Sequence, residues 1–180
     1  MTTATQIPGY TTGTWTIDPA HSDVTFTVRH LGVSKVRGRF ADVAGEVITA
    51  ENPFDSSVHA VLKTASIDTN NEQRDAHVRT EEFLHTEAHP ELTFQSTGIK
   101  QNGEDYVLSG ELTIRGITRT VDLEVELGGF APEGPAGQPV LGLSASTEIN
   151  RKDFGVTGGA AGAMLGEKIK IELDIEATKN

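Results

Sequence analysis

Cysteine is absent from the 180 residues. That excludes a disulfide, a thiolate nucleophile and a thiolate metal site, so the fold must hold without staples. No segment approaches the ~20 consecutive apolar residues that a membrane-spanning helix needs. The opening "MTTATQIPGYTTG" has neither a basic n-region nor an apolar run and does not resemble a secretory signal. The default expectation is a cytoplasmic protein. Cations are also scarce: 15 Lys and Arg stand against 26 Asp and Glu, a formal net charge of -11. A nucleic-acid backbone or an anionic membrane surface would meet net repulsion. Lys35, Arg37 and Arg39 alternate along one strand face and read as a solvated surface.

What is present is period-two patterning. In "DPAHSDVTFTVRHLG" Val24, Phe26 and Val28 share one face, and Asp23, Thr25, Thr27 and Arg29 the other. His30 has the parity of the apolar face. Comparable runs start at Trp15 and Ile17 and recur at Val36 to Phe40, Val43 to Val47, Val58 to Leu62, and Leu92 to Ser96. The second half alternates more regularly at Tyr106 to Ile114, Val121 to Leu127, Leu141 to Ile149, and Ile169 to Ile175. "QNGED" predicts a hairpin at Asn102-Gly103, "RGITR" a tight connection, and "GGFAPEGPAGQP" at 128–139 a surface loop. Eight or more strands with one dry face each demand closure or a second sheet, and both a barrel and a sandwich satisfy the pattern. Gly38, Gly45 and Gly110 fall on inward positions. They either leave a tube or mark bends and bulges in a filled barrel.

Residues 68–90 break the rhythm. Asn71 can cap a helix beginning at Glu72, Thr80 can cap a further turn, and Pro90 stops helicity. One or two short helices over an end or edge of the sheet are expected. The histidines His85 and His89 in "HTEAH" are four apart, but no third ligand is placed by spacing, so no metal site is assigned. His21 is expected to bond Asp18 or Ser22 in its loop, and His59 to point outward. The "DFG" of "NRKDFGV" lacks every other kinase element. Arg151 and Asp153 are expected to brace that loop as a charged pair. "GVTGGAAGAMLGEK" matches no phosphate-binding spacing and reads as a flexible loop, with Met164 and Leu165 placed to cover an apolar opening.

Four segments in order, "TWTIDPAHSDVTFTVRHLGVSKVRGRF", "TNNEQRDAHVRTEEFLHTEAHPELTFQST", "LSGELTIRGITRTVDLEVEL" and "ASTEINRKDFGV", resemble the YceI-like, polyisoprenoid-binding protein family. The resemblance implies an all-β fold: an extended, eight-stranded antiparallel, lipocalin-like barrel with one or two short helices. It would occupy residues 14–177 as a single domain, after a flexible N-terminal segment 1–13. It also implies a long-chain isoprenoid, a quinone-like lipid or a fatty-acid derivative bound inside. Trp15, Ile17, Phe26, Val28, Val36 and Phe40 would line the first half of the tube. Phe83, Leu92, Phe94, Leu108, Leu112, Ile114, Leu143 and Phe154 would line the rest. His30 would approach the ligand or fix a neighbouring strand. Asp18 and His21 would shape the entry turn, Arg74 and Asp75 the helical crossing. Arg115, Arg119, Arg151 and Asp153 would tie loops near the barrel end.

Three functions follow. The first is non-enzymatic binding, storage or transport of the lipid, with no catalytic residue, metal or cofactor. The second is a lipid-modifying enzyme with His30, beside Asp23 or another acid, as general base. The third is a ligand-free structural or stress-response barrel filled by its own side chains. A homodimer is compatible with all three.

Overall fold

The computed structural model describes residues 7–180. Eleven strand segments form one antiparallel sheet: β1 (Gly13–Ile17), β2 (Asp23–His30), β3 (Ser34–Phe40), β4 (Val43–Thr49), β5 (Ser57–Lys63), β6 (Ile67–Asp68), β7 (Glu91–Asn102), β8 (Asp105–Ile114), β9 (Ile117–Ala131), β10 (Val140–Asn150) and β11 (Leu165–Lys179). Six of these segments are three bent strands. β1 and β2 both pair with β11, at Trp15↔Lys179 and at Val24↔Leu173. β1 also pairs with β4, and β2 with β3. β3 and β4 in turn face β6 and β5. The three bent strands and β7 to β11 make eight, each beside its successor, and β11 closes on β1 and β2. The sheet is therefore a closed up-and-down barrel, which leaves no long edge exposed.

The bends have local causes. Pro19, without an N–H, opens a 3-10 turn at Pro19–His21, and the Asp18 carboxylate caps it by accepting from the Ala20 N–H at 2.9 Å. Residues 41–42 face a second 3-10 turn, Thr64–Ser66, and the Ala41 N–H donates to the Ser66 carbonyl at 3.2 Å. At the β8–β9 turn Arg115 (φ 56°) and Gly116 (φ 73°) are both left-handed, the geometry of a two-residue hairpin that follows the sheet twist. The hairpin predicted at Asn102-Gly103 forms one residue later: Asn102 still pairs with Asp105, and Gly103 and Glu104 make the two-residue loop. The surface loop predicted from residue 128 begins later. Gly128 is the extra residue of a bulge, and β9 continues to Ala131.

The meander sets which residues meet at each end. One end gathers the β2–β3 tip, the helical segment after β6, the β8–β9 turn and residues 150–165. The other gathers residues 7–13 and the β4–β5, β7–β8 and β9–β10 connections. At the first end α1 (Glu72–Val78) starts at Asn71, whose side chain accepts from the Arg74 N–H at 3.0 Å. The part of the N-terminal segment in residues 1–6 lies outside the described residues. At the second end the Tyr10 hydroxyl donates to the Ala50 carbonyl, and its ring meets Phe130 edge-on at 5.2 Å.

Candidate ligand cavity

Each strand turns its apolar parity inward, yet the inward side chains do not fill the barrel. They enclose a cavity of about 500 Å³ that reaches from Tyr10 and Phe54 at one end to His30, Met164 and Leu165 at the other. Its wall is built from rows such as Leu108, Leu112 and Leu123 of β8 and β9 and Ile171, Leu173 and Ile175 of β11. The inward glycines do not create this space. A Cβ on Gly38 would fall within 3.0 Å of the Phe26 ring, and one on Gly110 within 3.0 Å of the Phe94 ring. The two rings lie across the glycines, so these positions are occupied by neighbours.

Of the predicted lining residues, Ile17, Phe26, Val28, His30, Val36, Phe40, Phe83, Leu92, Phe94, Leu108, Leu112, Ile114, Leu143 and Phe154 all stand in the cavity wall. Trp15 does not. It is fully buried in a separate packed cluster with Val47, Leu141 and Ala177. Its indole N–H donates to Thr49 Oγ1 at 2.9 Å, and its ring meets Phe130 at 5.5 Å. Trp15 plugs the end of the cavity and does not line it. Sequence reasoning passed over Tyr10 and Phe130, because one lay in a segment read as flexible and the other in a segment read as loop. Ile171, Leu173 and Ile175 also line the wall, and their alternation with Lys170, Glu172 and Asp174 was the available signal.

Few polar groups touch the cavity, and most are engaged. The Arg151 guanidinium is 4% exposed and donates to the carbonyls of Val156, Thr157, Gly162, Leu165 and Gly166 at 2.8–3.3 Å. The expected Arg151–Asp153 pair is not made. Asp153 is exposed, and the carbonyls of the 155–166 loop take all five guanidinium N–H groups instead. The supposedly flexible loop is thus wrapped around a buried cation, with a 3-10 helix at Gly159–Met164. Arg115 ties the β8–β9 turn to the carbonyls of Glu81 and Phe83 at 2.7 and 3.1 Å. Among the described residues the Arg119 side chain donates only to the neighbouring Thr118 carbonyl and so ties no loop there. At the helical crossing the Asp75 carboxylate accepts from the N–H and hydroxyl of Thr69. Arg74 donates to the Thr69 hydroxyl and carbonyl at 2.8 and 2.6 Å.

The His30 ring lines the cavity and makes no side-chain hydrogen bond among the described residues. Asp23 is exposed on the opposite face of β2, seven positions away, so the general-base pairing of His30 with Asp23 does not exist. His59 points outward, as its parity predicted. His85 and His89 stand edge to face at 5.7 Å. Among the described residues, the acid and imidazole atoms that converge tightly enough for a cation are those of Asp18, His21 and Glu176. His21 Nδ1 lies 2.7 Å from Asp18 Oδ2 and 3.2 Å from Glu176 Oε2. The hydrogen bond to Asp18, with Glu176 nearby, raises the His21 pKa, and the same bond lowers that of Asp18. These are the distances of a charge-assisted hydrogen bond, and a proton on Nδ1 satisfies both carboxylates. At the other end of the cavity, burial raises the Tyr10 pKa.

The chain is similar to a UPF0312 protein of Photorhabdus laumondii, at 40% identity over 74% of this chain and 70% of that one. It is 39% identical to protein YceI of Escherichia coli, over 76% of this chain and 71% of the other. Among solved structures, the fold is similar to a YceI protein of Campylobacter jejuni, with 27% identity, 84% of this chain and 90% of the other covered, and a TM-score of 0.74. A polyisoprenoid binding domain from Saccharophagus degradans shares the fold alone, at 13% identity, with 94% and 100% of the two chains covered and a TM-score of 0.75. The profile of the YceI-like domain matches residues 15–177, and with relatives this similar the chain belongs to the YceI-like domain family.

Proposed function

We propose that this protein binds a long-chain isoprenoid or a similar amphiphilic lipid in the barrel interior and carries it without chemical change. The observation that carries this reading is the cavity of about 500 Å³, walled by aliphatic and phenyl side chains over nearly its whole length. That volume falls within the range of about 300–1,000 Å³ typical of small-molecule sites. Its wall offers an apolar chain nothing but transfer free energy, about 0.8 kcal/mol for each methylene removed from water. The polyisoprenoid binding domain of Saccharophagus degradans, which shares the barrel, agrees with this reading. A quinone-like head group or a fatty-acid derivative fits the same wall, with His30 at one end and Tyr10 at the other as the polar contacts. A non-enzymatic role is favoured because Arg151 is spent on backbone carbonyls and His30 makes no hydrogen bond or ion pair with an acid among the described residues.

The test is mass spectrometry of the natively purified protein and of its organic extract. A long apolar lipid at near-equimolar amount is expected. Native mass equal to the bare chain, with failure to take up added polyprenol or quinone, would overturn the reading in favour of an empty barrel. Turnover of the bound lipid would favour an enzyme.

A further inference from the structure

The tip of the β2–β3 hairpin combines features that the cavity does not explain. Leu31 and Val33 are 60% and 80% exposed, and Met164 beside them is 45% exposed. Met164 is joined to the tip, since the Leu31 N–H donates to its carbonyl at 2.8 Å. Ala160 and Ala163 of the same loop are exposed as well. Side chains of this size in water cost free energy and in a cluster mark a contact surface. Met164 also lines the cavity, so at this point the interior reaches the surface.

The flanks of the hairpin are basic. Arg29, Lys35, Arg37 and Arg39 all project from its outer face and are exposed. Arg29 stands directly opposite Lys35 across the strand pair, a like-charge juxtaposition that costs stability. Among the described residues Arg29, Lys35 and Arg37 form no side-chain hydrogen bond or ion pair; Arg39 faces Asp68 across the β3–β6 pairing. In a chain of net charge -11 an uncompensated cluster of this kind is out of character. The neighbouring cations of β11 are compensated: Lys170 meets Glu172 at 3.3 Å and Lys168 meets Glu148 at 3.6 Å. The acids of this barrel end stand off the hairpin: Glu72, Glu81, Glu82 and Glu87 on the helical segment, Asp153 on the 151–154 turn, and Glu167 at the start of β11, where Lys152 holds it at 2.8 Å.

We propose that this tip is a docking surface for an anionic phospholipid bilayer: Leu31, Val33 and Met164 enter the acyl boundary while Arg29, Lys35 and Arg37 meet the phosphates. An apolar tip flanked by unpaired cations is the chemistry of interfacial binding. The net charge does not prevent it. At physiological salt the Debye length is about 8 Å, so the acids elsewhere on the barrel are screened while the hairpin's cations touch the surface. Docking would bring the exposed part of the cavity wall against the bilayer. Its use in loading a lipid rests on the proposed function, but the docking itself does not.

The test is cosedimentation of the full chain with vesicles of phosphatidylglycerol and phosphatidylcholine, against vesicles of phosphatidylcholine alone. Binding to the anionic vesicles is expected at about 0.1 M salt and should fall roughly tenfold or more at about 1 M, where the Debye length is only ~3 Å. The pairs Leu31→Ser with Val33→Ser, and Arg29→Glu with Arg37→Glu, should each abolish it at unchanged Tm, whereas Ile48→Ser, at an exposed apolar site in β4, should not. The indole introduced by Val33→Trp should be quenched by brominated lipid. Absence of binding to anionic vesicles at about 0.1 M salt would overturn the proposal. So would binding that both double variants retain. Lipid content of the purified protein is measured separately, so failure of docking and failure of cargo binding are distinguishable.

Discussion

The Phe94 ring lies across the face of Gly110, reaching diagonally over the β7–β8 pair, and the Phe26 ring covers Gly38, its direct partner across β2–β3. Each glycine is therefore a seat for a ring, and a methyl group there must move it. The atoms nearest a Cβ at Gly38 belong to the side chains of Phe26 and Thr69. At Gly110 a Cβ would also stand 2.7 Å from the Gln95 carbonyl oxygen, which is backbone and cannot swing away. Gly110→Ala should destabilise by about 1–3 kcal/mol and Gly38→Ala by less. Urea unfolding of the two variants checks the order.

Arg151 is a second pinning point. Substitution by Met keeps the apolar stem but strips donors from the carbonyls of Val156, Thr157, Gly162, Leu165 and Gly166. Hydrogen bonds to a charged group contribute about 1.5–3 kcal/mol each, and some of these carbonyls will recover water. A loss of roughly 3 kcal/mol or more in unfolding free energy is expected. Arg151→Lys should rescue little of it, because an ammonium cannot reproduce the planar five-donor fork. Hydrogen exchange should show the opening confined to residues 155–166. A loss spread evenly over the barrel would contradict this assignment.

The strand ladders and the Asn71 cap were legible because they depend on neighbours two or three positions apart. Closure of the barrel came from the family resemblance, since a period-two ladder reads the same in a sandwich. Trp15 and Ile17 share parity, yet one plugs the cavity end and the other lines it. The difference is made by Phe130, more than 100 residues away and beyond a bulge that no local pattern announces. Arg151 was expected to find the nearest acid. It found carbonyls, because a loop closed over a barrel end leaves its backbone acceptors without sheet partners.

The Asp18–His21–Glu176 contact predicts a pH dependence with a definite sign. The His21 pKa is raised above 6.5, so its contribution is fully present below that value and is lost as pH rises through the folded value. The Asp18 pKa is lowered below 3.8, so its contribution is present above that value and is lost as pH falls through the folded one. The difference in Tm between the wild type and His21→Gln should be largest near about pH 5 and shrink toward both about pH 2 and about pH 9. The groups are solvent-exposed, so added salt should flatten the profile. A difference that does not vary with pH would show that the contact is not ionic.

Occupancy of the cavity can be separated from the integrity of the barrel at Ala145. This side chain is 8% exposed, faces the cavity from β10 and is among the smallest in the wall. In Ala145→Phe the new ring points into free space and not into packed neighbours, so overpacking strain should stay below the ~1–3 kcal/mol typical of a filled core. It should displace ligand because it occupies the volume an apolar chain would need. The expected result is a Tm within a few degrees of the unliganded wild type and at least about a tenfold fall in copurified or added lipid, corresponding to ~1.4 kcal/mol. Trp15, the single tryptophan, lies outside the wall, so its emission should follow unfolding and not occupancy. Lipid content equal to that of the wild type in a folded Ala145→Phe protein would place the ligand somewhere other than the barrel interior.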